Sequence, residues 1–199
     1  FLLNNRGAIA PGYLADFAVI DNFKDFNVEM VFKKGVLYWN NGELRDFDAP
    51  QIEEYLDKRA HDTFHVATLT PDDFRDTRQR GVLGMVPGEI ITTDNGYADH
   101  VDLEKDILKI AVVERHKGTH HIGLGYIQGY GLKSGAVATS ISHDSHNIIV
   151  VGTNSADMAF AANYIVEHHG GIVVVENGVV KGSVVLEIAG IMSDDSSAQ

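Results

Sequence analysis

Six consecutive positions, Ser142-His143-Asp144-Ser145-His146-Asn147, carry two imidazoles, a carboxylate, an amide and two hydroxyls between two apolar runs. Such a cluster is costly to bury unless its members are partnered or have a chemical task. His143, Asp144 and His146 are close enough in sequence to act together in binding or catalysis. His-x-x-His beside an Asp also has the donor types of a metal site, although the spacing is permissive and no fourth ligand is nearby in the chain. Turn chemistry accounts for the same residues differently: Asp, Ser and Asn bond their own neighbouring backbone, and a histidine can finish a strand end. The residues alone leave both readings open.

The flanks decide how the loop is held. From Gly135 to Ser142, bulky Val137, Thr139 and Ile141 alternate with small residues, the pattern of a strand with one tightly approached face. Ile148-Ile149-Val150-Val151 is a short β-branched run, expected as a strand covered on both faces. The loop then sits at the rim of a rigid sheet, where functional groups are commonly held.

Further strands are expected over Asp16–Asp21, Val28–Phe32 and Val36–Trp39, with a turn at Lys33-Lys34-Gly35; so small a sheet is expected to complete one whose other strands lie elsewhere. Gln51–Arg59 reads as a polar helix with Ile52, Tyr55 and Leu56 at helical spacing. Glu89–Thr93 and Ile107–Val113 read as strands flanking a turn-rich segment that contains Asp94-Asn95-Gly96. A second helix is expected from an N-cap at Ser155, with Asp157 favoured by the helix dipole and Met158, Ala161, Ala162, Ile165 and Val166 forming its apolar stripe. Gly170-Gly171 ends it. A hairpin of Ile172–Val175 and Val179–Ile188 follows around Asn177-Gly178, and a frayed polar tail over Ser193–Gln199.

The glycine-rich stretch Gly123 to Gly135 is not a nucleotide loop. A phosphate-binding loop needs Gly where Leu132 precedes Lys133, and the dinucleotide fingerprint has two residues where Tyr126, Ile127 and Gln128 stand. These glycines are expected to serve tight turns and close backbone approach, which a small-ligand pocket also uses. Arg115, His116, His120 and His121 are expected as exposed strand-end polarity, and Lys133 as a solvated loop charge.

The chain has 199 residues, 44% of them hydrophobic, enough for one large domain or two small ones. With 28 acidic against 16 basic residues its formal charge is −12, which argues against nucleic acid or an anionic membrane as partner. No cysteine is present, in keeping with a reducing cytoplasm and excluding thiolate metal sites. No apolar stretch approaches the roughly 20 residues needed to span a bilayer. Phe1 stands where an initiator methionine would be, so the chain is expected to be a fragment of a longer protein.

Two resemblances sharpen this. Gly7 to Asp21, followed by Val31-Phe32-Lys33-Lys34-Gly35, resembles the segment in which amidohydrolase-superfamily enzymes return from their barrel to a small β-sandwich. Val112–His116, Gly129–Ala136, His143–Asn147, Val151–Asn154, Asp157-Met158 and Ile188–Asp194 together resemble the C-terminal domain of the bacterial-type adenine deaminase family. The resemblance implies an α+β chain: 1–48 from the amidohydrolase β-sandwich, 49–82 a connecting segment with a helix, and 83–195 a mixed or antiparallel sheet with at least one packed helix. It implies hydrolysis of adenine to hypoxanthine and ammonia, with two divalent ions, manganese or iron, held in a barrel that this chain lacks; the chain alone is expected to bind no metal and to be inactive. Adenine, the missing barrel and a second copy of the protein are the implied partners. His143 and Asp144 are then candidate supporting catalytic residues, and His146, Asn147 and Gly131 candidate substrate contacts, because imidazole and amide groups match the donors and acceptors of a purine edge. A stand-alone purine-binding module and a purely oligomerising domain remain the alternatives.

Overall fold

A computed structural model describes residues 3–45 and 51–194. The chain divides into two units, 1–51 and 52–199. In the first, β1 (Phe17–Ile20), β2 (Val28–Lys33), β3 (Val36–Asn40) and β4 (Glu43–Leu44) form an antiparallel sheet in that order. Lys34 and Gly35 turn the chain with positive φ, and the Asp16 carboxylate accepts the Lys34 N–H at 2.6 Å, which fixes the β2–β3 hairpin. Phe17 stacks on Phe32 across the β1–β2 pair at 4.8 Å. The expected three strands are present, and the short β4 adds a fourth that sequence pattern did not announce.

The second unit contains α1 (Glu54–His61), a 3-10 turn (Pro71–Phe74), β5 (Arg80–Met85), β6 (Thr92–Ala98), β7 (Ile107–Val113), β8 (Ile122–Gln128), β9 (Ala136–Thr139), β10 (Ile148–Gly152), α2 (Ser155–Glu167), β11 (Gly171–Glu176) and β12 (Val179–Val185). Eight strands join in the order β12-β11-β9-β10-β7-β8-β5-β6, antiparallel except for β5 beside β8. The chain is thus α+β and mostly sheet. α2 lies on one face, where Met158, Ala161, Ala162 and Ile165 meet Ala111, Ala136, Ala138, Ile148, Val150 and Val173. The alanines on β9 and Gly152 let the helix come close: a Cβ on Gly152 would stand 2.4 Å from Met158 Cγ. On the other face Leu108, Ile127 and Val151 form a smaller cluster under Val101, Tyr130 and Leu132. β10 contributes to both clusters, as its unbroken β-branched run implied.

Several local expectations change. Asn154, rather than Ser155, caps α2: its side chain accepts the Asp157 N–H at 2.8 Å. Asp157 is buried and accepts the Asn177 and Gly178 N–H groups at 3.1 and 2.8 Å, so the helix start also clamps the β11–β12 turn. The stretch 89–91 precedes its strand, and Asp94-Asn95-Gly96 lies inside β6, because this edge strand absorbs Gly96 at φ 82° opposite a register shift on β5. Gly123 and Gly125 lie within β8, whereas Gly129, Gly131 and Gly135 turn with positive φ. In the stretch 49–82, Leu69 and Phe74 are buried in the core against α2, while Ile52, Tyr55 and Leu56 on and beside α1 are exposed. β12 ends at Val185; Ile188 instead bridges Met192. Of the expected polar tail, 195–199 lies outside the described residues.

Candidate functional site

The loop between β9 and β10 is built by turn chemistry. The Ser145 N–H donates to the His143 carbonyl at 3.0 Å, the His146 N–H to the Ser142 carbonyl at 2.7 Å, and Asp144 and His146 both take positive φ. The backbone is therefore curled and the side chains of its tip point outward. His143 Nδ1 and Asp144 Oδ1 lie 3.1 Å apart, with side chains 96% and 90% exposed. His146 and Asn147 turn inward and are half-buried; His146 Nδ1 and Asn147 Oδ1 are buried atoms with no hydrogen-bond partner.

Beneath the loop sits Arg115, only 2% exposed. Its Nε donates to the His146 carbonyl, one terminal nitrogen to the Thr63 carbonyl at 2.8 Å and Thr63 Oγ1 at 3.1 Å, and the other to the Ala189 carbonyl at 2.9 Å. The guanidinium also lies 4.2 Å from the Phe64 ring centre. Burial pulls its pKa down from the ordinary arginine value. One cation so joins the loop to the segment before β5 and to the segment after β12. The exposed position expected for Arg115 is overturned by strand parity: Ala111 and Val113 face α2, and Arg115 continues that side of β7.

The neighbouring strand end is organised by Glu114. Its carboxylate accepts the Thr119 hydroxyl and the N–H groups of His116, Lys117 and Thr119. The Thr119 hydroxyl first, then these backbone donors, hold its pKa down at about 2 against the opposing effect of desolvation. His116 Nε2 meets the Ser145 carbonyl at 2.8 Å, and His120 Nε2 meets Asp73 Oδ1 at 3.0 Å. Gly131 lies elsewhere. It follows β8 at the far end of the strands, with its N–H on the Asp106 carboxylate, and β10 separates that end from the His143 loop by about 15 Å. The structure thus brings His143, Asp144, His146 and Asn147 together with Arg115 and His116, and it leaves Gly131 apart from them.

A family model described as the adenine deaminase C-terminal domain matches residues 88–199. The chain belongs to the adenine deaminase C-terminal domain family. Curated relatives named adenine deaminase include one from Dehalococcoides mccartyi, 39% identical, with 97% of this chain and 35% of that protein covered. Relatives from Lysinibacillus sphaericus and Petrotoga mobilis carry the same name, at 37% and 41% identity, covering 100% and 97% of this chain and 36% and 35% of their own lengths. The chain spans about a third of the length of the curated relatives it matches.

Among the described residues of this adenine deaminase C-terminal domain, no three His, Asp or Glu side chains converge as a ligand set for a divalent ion. His143 and Asp144 are adjacent, but the His146 ring is turned inward, away from the exposed tip they occupy. What the loop offers is a solvent-facing imidazole and carboxylate on a curled backbone, set on a buried guanidinium. Arg115 and Ser140 were the residues missed by sequence reasoning. Ser140 is fully buried, accepting the Gly171 N–H at 2.8 Å and donating to the Gly190 carbonyl. Continuing the in-out alternation of β7 one step past Val113 was the signal available for Arg115, and the place of Ser140 after Ala136 and Ala138 on the small-residue face of its strand was the signal for its burial.

Proposed function

We propose that the chain is the C-terminal part of an adenine deaminase that hydrolyses adenine to hypoxanthine and ammonia in purine salvage. The observation that carries this reading is the match of essentially the whole chain to about a third of several proteins named adenine deaminase. In it, the two divalent ions, manganese or iron, belong to a (β/α)8 barrel outside these residues, and β1–β4 belong to an amidohydrolase β-sandwich. Among the described residues no helix is long and apolar enough to cross a membrane, and the absence of cysteine supports a cytoplasmic protein.

The chain's own contribution is the His143–Asn147 loop. His143 and Asp144, exposed at its tip, are offered to the purine or to the groups that hold it, while His146 and Asn147 complete the loop from within. Ammonia release from adenine, measured on the full-length protein and on its His143→Ala and Asp144→Ala variants, tests this. The expected result is activity in the full-length protein, reduced at least tenfold by either substitution, and none in the 199-residue chain. Turnover unchanged by both substitutions removes the loop from the site. A full-length protein that releases no ammonia overturns the assignment itself.

A further inference from the structure

The face of the eight-stranded sheet that α2 does not cover is apolar in two transverse rows. One row runs in register across five strands, Val112, Ile149, Thr139, Ile172 and Val184. The next comprises Ile110, Val151, Val137 and Val174. On β8 their neighbours are Gly123 and Gly125, and on β12 Gly182 stands beside Val174, so positions without a side chain border the rows. The cluster under Tyr130 and Leu132 covers the middle, but Val112, Ile172, Val174 and Val184 are exposed, Val184 to 58%. Antiparallel sheets with a solvated face alternate apolar with polar residues. Here both faces are apolar, and the shelf carries no charge although the chain as a whole carries −12.

We propose that this shelf is the surface against which the part of the full-length polypeptide N-terminal to these 199 residues packs. The inference rests on the reading of the chain as part of a longer adenine deaminase. Two observations choose that occupant. The relatives continue well beyond the matched third of their length, which supplies a covalently attached partner at high local concentration. The shelf is also uncharged and β-branched throughout, the character of a permanent interface rather than a transient one. Its position adds a consequence. The Val112–Ile149–Thr139–Ile172–Val184 row is at the same strand ends as the His143–Asn147 loop, so packing on the shelf puts the loop at the seam between the two parts, where a side chain of one can reach a site in the other.

Hydroxyl-radical footprinting of the 199-residue chain and of the full-length protein, each with its mass in solution and its ammonia release from adenine, tests the proposal. Oxidation of Ile172, Val174 and Val184 is expected to fall at least threefold in the full-length protein, at all protein concentrations, while Phe160, exposed on α2, is unchanged. Equal oxidation in the two forms with ammonia release intact overturns the inference and leaves the functional reading standing. Protection of the shelf without ammonia release supports the inference and sinks that reading. Protection that appears already in the 199-residue chain together with a doubled mass assigns the shelf to a second copy and overturns the inference.

Discussion

Arg115 shows how a single buried charge organises the candidate site. Its acceptors are three backbone carbonyls and a threonine hydroxyl, so the cation is satisfied by geometry that only a planar fork with several donors can provide. Arg115→Lys keeps the charge but cannot serve His146, Thr63 and Ala189 at once. It is expected to destabilise the chain by roughly 2–3 kcal/mol, read as a lowered urea midpoint, whereas His143→Ala is expected to change stability by less than about 0.5 kcal/mol because that side chain is in solvent. Glu114 makes the second prediction. Its folded pKa is about 2, below its ordinary value of 4.5, so its stabilising contribution is complete above that ordinary value and is lost as pH falls toward 2. In Glu114→Gln the difference in stability from the parent chain is expected to shrink over that window; a constant difference contradicts the assignment. The residues of the loop were legible as a cluster, since their types stand out in any reading of the chain. Their directions were not, because the loop is set on Arg115, whose acceptors come from segments 31 to 74 residues away in the chain.

Among the elements, α2 is the best test of local rules. Asn154→Ala removes the cap on the Asp157 N–H and is expected to cost about 1 kcal/mol. Asp157 has a wider role. Burial works against its charge, yet the Asn154 amide and the Gly178 and Asn177 N–H groups outweigh it and lower its pKa. Asp157→Ala is therefore expected to cost more than the cap substitution and to speed amide exchange in the Asn177-Gly178 turn; an effect confined to α2 contradicts the clamp. Gly171 lies at the start of β11 with φ 130°, where a Cβ would stand 2.0 Å from the Val184 carbonyl. Gly171→Ala is expected to disrupt the β11–β12 pair, seen as loss of exchange protection there. Strands made of β-branched runs, such as β7 and β10, were legible because their side chains satisfy two buried faces. β6 was not. Its Asp94-Asn95-Gly96 has turn residues, and only the space above Gly84 lets Asn95 cross β5 and donate to Gln128 Oε1 at 2.8 Å.

At the scale of the whole molecule, the chain combines a small antiparallel sheet with a larger unit whose core is its own. Both hydrophobic clusters draw their buried residues from Leu69 onward. A polypeptide of residues 52–199 is therefore expected to unfold in a single cooperative urea transition; a gradual loss of structure would show that this core is not self-sufficient. Among the described residues the small sheet has no fully buried side chain, and Val28 and Leu44 are exposed on it.

Composition, charge and the order of short motifs were enough by themselves to establish an acidic α+β chain with a polar loop between β9 and β10 and a resemblance to adenine deaminase. These properties are local or additive, and they survive in a one-dimensional reading. Only the tertiary structure decided that Arg115 is buried under that loop, that Gly131 belongs to the opposite end of the strands, and that one face of the sheet is an exposed apolar shelf. Each depends on strand order and register. The strands brought side by side are far apart in sequence, and a one-residue change of register would turn every side chain to the other face.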